Sequence, residues 1–331
     1  WVDNEGNGED FGQENRDNFT ADFHWDTTDR IELDYKYEQS SIEDTARLSQ
    51  VLKFDPDAPQ SVVIAFENPE LDKNGNPTEA TRDRLDDATS FDEQLEGDVE
   101  IDAHTLIGAW DINDTLTFRS LTGYRDVDAF TQNAQSPTTY LAIGPGYTIT
   151  NGMPNTDFEQ FSQEFQLLGN TDNWTWVGGL YYYEDESEED GSDGNSSGSE
   201  ALDDGVLVDF TSTDNTSLAV FCQATWTPDW HNRRWHLTLG ARYSDDERKA
   251  ERDNNRVSFT LGGLETNVPA FRAKYDKDFD KFNPSFTVEF DVSDFSNVYG
   301  KVVTAYKSGG TSQRSTSAQN FEAGFKEEDL V

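Results

Sequence analysis

The chain has 331 residues, with 25 Lys and Arg against 66 Asp and Glu, and a formal net charge of -41. That balance excludes nucleic acid as a partner, because phosphate binding needs clustered cations, and a single cysteine, Cys222, excludes a disulfide framework. No apolar run reaches the length of about 18 residues that a membrane helix needs, and an aromatic content of 13% is too high for an acidic chain that stays wholly disordered.

Alternation of apolar and polar side chains, the period of a strand with one apolar face, predicts paired strands. The first pair is Phe19 to Asp26 and Arg30 to Glu38, joined at Thr27-Thr28-Asp29. A long polar stretch follows from Gln39 to Gln94, with Pro56, Pro59, Pro69 and an Asn74-Gly75 turn signal. Inside it, Asp72, Asn74 and Asn76 fall where a calcium loop has its first ligands, and Asp83 where it has its last. Pro77 replaces the glycine such a loop requires, so a plain turn is the first reading and loop-bound calcium the alternative.

The second pair is Val99 to Trp110 and Thr115 to Asp128, turning at Asp111-Ile112-Asn113-Asp114; a loop with Gly144-Pro145-Gly146 follows. The third is Glu159 to Leu168 and Trp174 to Asp185, followed by the acidic Gly/Ser loop "EDESEEDGSDGNSSGSE". The fourth is Asn215 to Trp226 and Arg234 to Ser244, with a turn at Pro228-Asp229 and a loop from Asp245 to Asp280. The fifth is Lys281 to Phe290 and Asn297 to Lys307, turning at Asp291-Val292-Ser293-Asp294. Strands this long match the roughly 9–11 residues that a tilted strand needs to cross a bilayer.

Short turns alternate with long loops, the habit of outer-membrane barrels. The aromatics sort by position as well. Trp25, Trp110, Trp174, Trp226, Trp230 and Trp235 stand beside short turns; Tyr35, Tyr37, Tyr124, Tyr182, Tyr183, Tyr243 and Tyr306 stand toward the long loops. Two aromatic belts are what two membrane–water interfaces select. The fold class is therefore all-β, an antiparallel up-and-down transmembrane barrel with short periplasmic turns and long acidic extracellular loops. Leu237, Leu239, Phe286 and Val288 are expected to face lipid.

Several stretches resemble the barrel of TonB-dependent outer-membrane receptors: "TLTFRSLTGYRD" (Thr115 to Asp126), "FSQEFQLLG" with "WTWVGGLYYYEDE" (Phe161 to Glu186), and "LAVFCQATWTPDW" (Leu218 to Trp230). "WHLTLGARYSDDERKA" and "DKFNPSFTVEFDVSDFSNVYGKVVTAYKSGG" (Asp280 to Gly310) continue the likeness. Cys222 stands where such stretches more often carry glycine. The resemblance implies that residues 1–331 belong to one barrel domain of about 22 strands. The N-terminal plug domain and the C-terminal strands are then expected outside this sequence. It also implies a Gram-negative outer membrane and active uptake of a scarce nutrient such as a ferric siderophore. Energy would come from the TonB–ExbB–ExbD complex through the plug, with lipopolysaccharide and outer-membrane lipid as surroundings.

No ordered Ser/His/Asp set, phosphate loop or paired-histidine motif anchors an enzyme reading, and no cofactor is expected. Strand parity instead turns basic residues inward: Arg119 and Arg125, opposite in parity to Phe118 and Tyr124, then Arg242, Lys301 and Lys307. These five are the candidate substrate path. Pairing with acids of the plug, or with inward acids such as Glu164 and Glu289, is the plain structural reading, and guidance of an anionic substrate the sharper alternative. A passive porin-like channel and a soluble acidic calcium-binding β protein are the rival functions.

Overall fold

The computed structural model describes residues 2–4, 9–45, 47, 87–88, 96–131, 152–194, 206–254, 257–261, 264–268, 271–313, 315 and 317–330. The calcium-loop candidates Asp72, Asn74, Asn76 and Asp83 lie outside the described residues. Ten strands make one sheet: β1 (Glu14–Thr28), β2 (Ile31–Thr45), β3 (Glu96–Asn113), β4 (Leu116–Phe130), β5 (Gly152–Asn170), β6 (Trp174–Gly194), β7 (Val206–Trp226), β8 (Trp235–Asn254), β9 (Phe271–Ser293) and β10 (Ser296–Val303). Each pairs only with its sequence neighbours within that sheet. Every short connection therefore falls at one end and every longer one at the other, as the sequence predicts.

Because register is unbroken between the turns, alternation along each strand sorts residues onto two faces. On the outward face Phe165, Leu180, Val220, Tyr243 and Phe282 stand side by side on neighbouring strands. Each exposes between 42% and 60% of its surface. Water would not tolerate a contiguous apolar face of this size uncovered, whereas hydrocarbon solvates it. No helix among the described residues is long and apolar enough to cross a membrane. Trp25, Trp110, Trp174, Trp226 and Trp235 share that face beside the short turns, with the Trp174 and Trp226 rings 6.0 Å apart. Trp176 lies across Gly169, where a Cβ would overlap its ring.

Three of the short turns repeat one solution that the sequence reading does not single out: Asp26-Thr27-Thr28-Asp29-Arg30, Asp111-Ile112-Asn113-Asp114-Thr115 and Asp291-Val292-Ser293-Asp294-Phe295. In each the register slips at the second residue, a bulge that tightens the hairpin. The third side chain then accepts the amide two residues on: Thr28 from Arg30 at 3.2 Å, Asn113 from Thr115 at 2.9 Å and Ser293 from Phe295 at 3.3 Å. The turn before β8 differs. His231, Asn232 and Arg233 all have positive φ, and the Arg233 guanidinium pins them to Asp229 and to Asn173 of the next turn.

The structure corrects the sequence reading in four places. Strands run further on the long-loop side than predicted: β6 continues to Gly194 and β8 to Asn254, through residues assigned to acidic loops. Past the bilayer the apolar alternation ends, but backbone pairing does not need it. Second, β10 stops at Val303. Thr304 N donates to Pro284 O at 3.1 Å, and proline has no N–H to return, so the ladder ends there. Ala305–Lys307 then pairs with Glu328–Leu330 instead, which takes Lys307 off the ten-stranded sheet. Third, Tyr183 and Tyr306 face inward and are not part of the outer belt. Fourth, a short helix, α1 (Ala318–Ala323), interrupts an all-β expectation. Its Phe321 is fully buried against Ala250, Ala273 and Tyr275 on the inner face, the main cluster of buried apolar residues described.

Candidate functional site

The inner face is polar through the membrane-spanning region. Arg119 and Arg242 belong to one cross-strand rung, Arg119–Gln166–Gly179–Phe221–Arg242–Asn283. Gly179 is required there, since a Cβ would run into the Phe221 ring and the Phe165 carbonyl. Lys301 ends a second rung made of Thr175, Thr225, Thr238 and Thr287, in which the Thr225 and Thr238 hydroxyls lie 2.8 Å apart. Arg125 lies further along β4 toward the long connections.

Arg242 stands in a concavity of the inner face. Its Nε donates to Ser244 Oγ at 3.0 Å, and its guanidinium carbon sits 5.2 Å from the centre of the Tyr181 ring. Around it opens a cavity of about 610 Å³ lined by Glu164, Phe221, Gln223, Asn283 and Tyr306 among others. Tyr306 reaches this wall from the segment beyond β10, and its hydroxyl donates to Asp246. Arg248 Nη2 pairs with the same carboxylate at 3.6 Å and Arg248 Nε donates to Ser308 Oγ at 3.2 Å.

Among the described residues, Glu164 and Glu289 form no ion pair with the inward cations. Glu164 accepts a hydrogen bond from Gln166, and Glu289 accepts one from Asn297. Among the described residues Arg119, Arg125, Arg242, Lys301 and Lys307 enter no ion pair, while Lys36, Arg248, Lys249, Lys274 and Lys281 each have an acidic partner. So Arg119, Arg125, Arg242 and Lys301 share the inner face as predicted, and Lys307 does not. Tyr181 and Tyr306 are the inner-wall residues that sequence reasoning missed. The run Tyr181-Tyr182-Tyr183 hides its own alternation, since only the middle ring points outward; Tyr306 comes inward because of the break at Thr304. Among the described residues no group of His, Cys, Asp or Glu is arranged to hold a metal ion.

Fold comparison places the sheet beside outer-membrane receptors. The ferric yersiniabactin uptake receptor FyuA from Yersinia pestis matches at a TM-score of 0.69 and 14% identity, over 99% of this chain and 43% of that one. The siderophore receptor PiuA from Acinetobacter baumannii matches at 0.58 and 16% identity, over 92% and 44%. The ferric-catecholate import receptor Fiu from E. coli K12, in its open form, matches at 0.57 and 12% identity, over 92% and 48%. The chain thus spans less than half the length of these structures. No curated protein sequence matches it. The family model for the TonB dependent receptor-like β-barrel matches residues 46–329. The alternating face, the two aromatic belts, the up-and-down sheet and this match agree: the chain belongs to the TonB-dependent receptor β-barrel family of the Gram-negative outer membrane.

Proposed function

We propose that the chain forms part of the wall of an energised importer that takes up an anionic metal chelate, with a ferric siderophore as the leading substrate class. The observation that carries this reading is the state of the inward cations. In a chain with 25 basic and 66 acidic residues, carboxylates are available to neutralise every cation. Among the described residues, Arg119, Arg125, Arg242 and Lys301 nevertheless stand on the inner face without an acidic partner. An anion entering past acidic outer segments would meet repulsion first and compensating positive charge deeper in, where a low-dielectric wall strengthens each charge.

Energy would reach the substrate through a plug domain coupled to TonB–ExbB–ExbD, and no cofactor is assigned. Around the barrel, carboxylates on the outward face beyond the Tyr belt would meet the phosphates of lipopolysaccharide through divalent cations.

The test is whole-cell uptake of radiolabelled iron as hydroxamate, catecholate and citrate-type chelates. The double variant Arg125→Gln with Arg242→Gln is expected to lose uptake of the transported chelate at least several-fold at normal outer-membrane abundance. Collapse of the proton-motive force should abolish uptake in the unaltered receptor. Uptake that survives collapse would turn the reading to a passive porin-like channel.

A further inference from the structure

Two inward carboxylates flank the guanidinium of Arg242, and each is held by another donor. Arg242 leans along β8 to the level of Ser244: its Nε donates to Ser244 Oγ at 3.0 Å, and its guanidinium carbon lies 5.2 Å from the centre of the Tyr181 ring. Ser244 and Tyr181 belong to one rung, Glu164–Tyr181–Ala219–Ser244–Lys281. Glu164 of this rung accepts from Gln166 on its own strand, and Tyr181 lies between it and Ser244. Asp246 is the next inward residue of β8, about 7 Å on at the rise of a strand, and only 7% of its surface is exposed. Both of its oxygens are occupied: Arg248 Nη2 lies 3.6 Å from Oδ1, and the Tyr306 hydroxyl donates to Oδ2.

Tyr306 reaches Asp246 from outside the ten-stranded sheet, on a strap of chain beyond Thr304 that lies against the inner face of β8 and β9. The strap is fixed at several points. Ala305–Lys307 pairs with Glu328–Leu330, Arg252 Nη1 donates to Ser315 O at 2.8 Å, Lys277 Nζ donates to Ala323 O at 2.8 Å, and Lys281 Nζ pairs with Asp329 at 2.6 Å. Phe321 is fully buried beneath it. Folding therefore sets the place of the Tyr306 hydroxyl before any ligand arrives. A buried carboxylate oxygen that loses its donor takes the nearest one within reach, because leaving it unpaired is costly. For Asp246 that donor is the guanidinium of Arg242, one rung away. We infer that Tyr306 is a positioning residue: its hydroxyl holds Asp246 so that this carboxylate cannot neutralise Arg242, and the cation stays available to an anion from outside the wall. That the anion is a transported chelate rests on the transport reading; the restraint on Asp246 does not.

Phenylglyoxal adds to free guanidinium groups and reacts slowly with paired ones, so it reads the state of Arg242 without transport. The full-length receptor held in amphipol is labelled and modification of Arg242 followed by peptide mass spectrometry. Arg119 in the same digest serves as the internal reference, and heat-modifiable gel mobility checks folding. Tyr306→Phe should slow labelling of Arg242 about tenfold, the scale of one charge-assisted hydrogen bond, and leave Arg119 unchanged. Adding Asp246→Asn to Tyr306→Phe should restore the original rate, because the amide carries no charge to pair with Arg242. An unchanged rate in Tyr306→Phe, or a slowed rate that Asp246→Asn does not restore, overturns the inference. So does an Arg242 that is already unreactive in the unaltered receptor, since its partner is then supplied by another part of the protein. Uptake of iron as hydroxamate, catecholate and citrate-type chelates is measured in the same variants. Uptake of the transported chelate should fall several-fold in Tyr306→Phe and recover in the double variant. Labelling that responds while uptake does not would leave the restraint on Asp246 standing and remove Arg242 from the substrate path.

Discussion

Leu239 is paired with Phe286 on the outward face, next to the Leu237–Val288 pair, and 65% of its surface is exposed. A charge placed there has no protein dipole to answer it. Leu239→Arg should therefore destabilise the folded barrel by about 2 to 4 kcal/mol near the bilayer midplane. Thr238→Arg, one residue away, points to the inner face and should cost far less. Denaturant titration of the full-length receptor folded into lipid vesicles measures both, and equal effects would remove the assignment of the two faces. This residue-level division was legible in the sequence wherever apolar and polar types alternate, as through Trp235 to Tyr243. It was not legible at Tyr181-Tyr182-Tyr183, where three identical side chains carry no parity. Nor was the company of Arg242 legible, because Tyr181 lies two strands away and Tyr306 is brought in by a break in the ladder.

That break shows how one residue resets an element. Up to Val303, β10 keeps register with β9, and unbroken parity would carry Lys307 inward with Lys301. Pro284 accepts from Thr304 but cannot donate in return, so the strand ends; Tyr306 then turns inward to Asp246, while Lys307 pairs across to Glu328. The proline was visible in the sequence; its consequence depended on which residue lay opposite, and register is a long-range property. Pro284→Val restores the missing N–H, so the ladder should extend and the Tyr306–Asp246 bond should be lost. Hydrogen exchange should slow across residues 304–306 of the full-length receptor. Unchanged exchange would assign the break to the pairing of Ala305–Lys307 with Glu328–Leu330. The hairpins follow a more local logic. Asn113 Oδ1 accepts from both the amide and the hydroxyl of Thr115, each at 2.9 Å, and Asn113→Ala should cost about 1 kcal/mol in the same denaturant titration.

Across the whole molecule, the upper membrane boundary can be traced strand by strand as an outward aromatic followed two positions further out by an acid: His104 and Asp102, Tyr124 and Asp126, Phe161 and Glu159, Tyr182 and Glu184, Tyr243 and Asp245, Phe282 and Asp280. Tyrosine hydroxyls donate upward to this line, Tyr37 to Asp102 at 2.5 Å, Tyr182 to Glu184 at 2.5 Å and Tyr243 to Asp280 at 3.4 Å. The line crosses rungs obliquely. The rung that is aromatic at Tyr37, His104, Tyr124 and Phe161 is already acidic at Glu184, Glu247 and Asp278, as strands tilted by about 35–45° require. The aromatic-then-acid spacing was present in the sequence. The extent of the acidic band was not, because residues beyond it lack the apolar period that marks a strand.

So dense a band of like charge raises the free energy of the folded wall unless cations attend it. Asp128 illustrates this: its hydrogen bond with Asp157, then slight desolvation and the neighbouring charges of Asp126, Asp157 and Glu100, hold its carboxyl above the ordinary range. A carboxyl raised in this way contributes stability at low pH and loses that contribution as pH rises through its folded value. The same group therefore takes up its proton earlier on acidification than a free aspartate. If divalent cations bridge the band to lipopolysaccharide phosphates, lipopolysaccharide should co-purify with the receptor at neutral pH in magnesium and be lost on chelation. It should also be lost progressively as pH falls into the carboxylate range. The triple variant Asp126→Asn, Glu159→Gln and Glu186→Gln should retain less lipopolysaccharide and show little response to chelation. Lipopolysaccharide retention that ignores magnesium, pH and these substitutions would leave the band as a hydrated surface that only keeps the extracellular rim soluble.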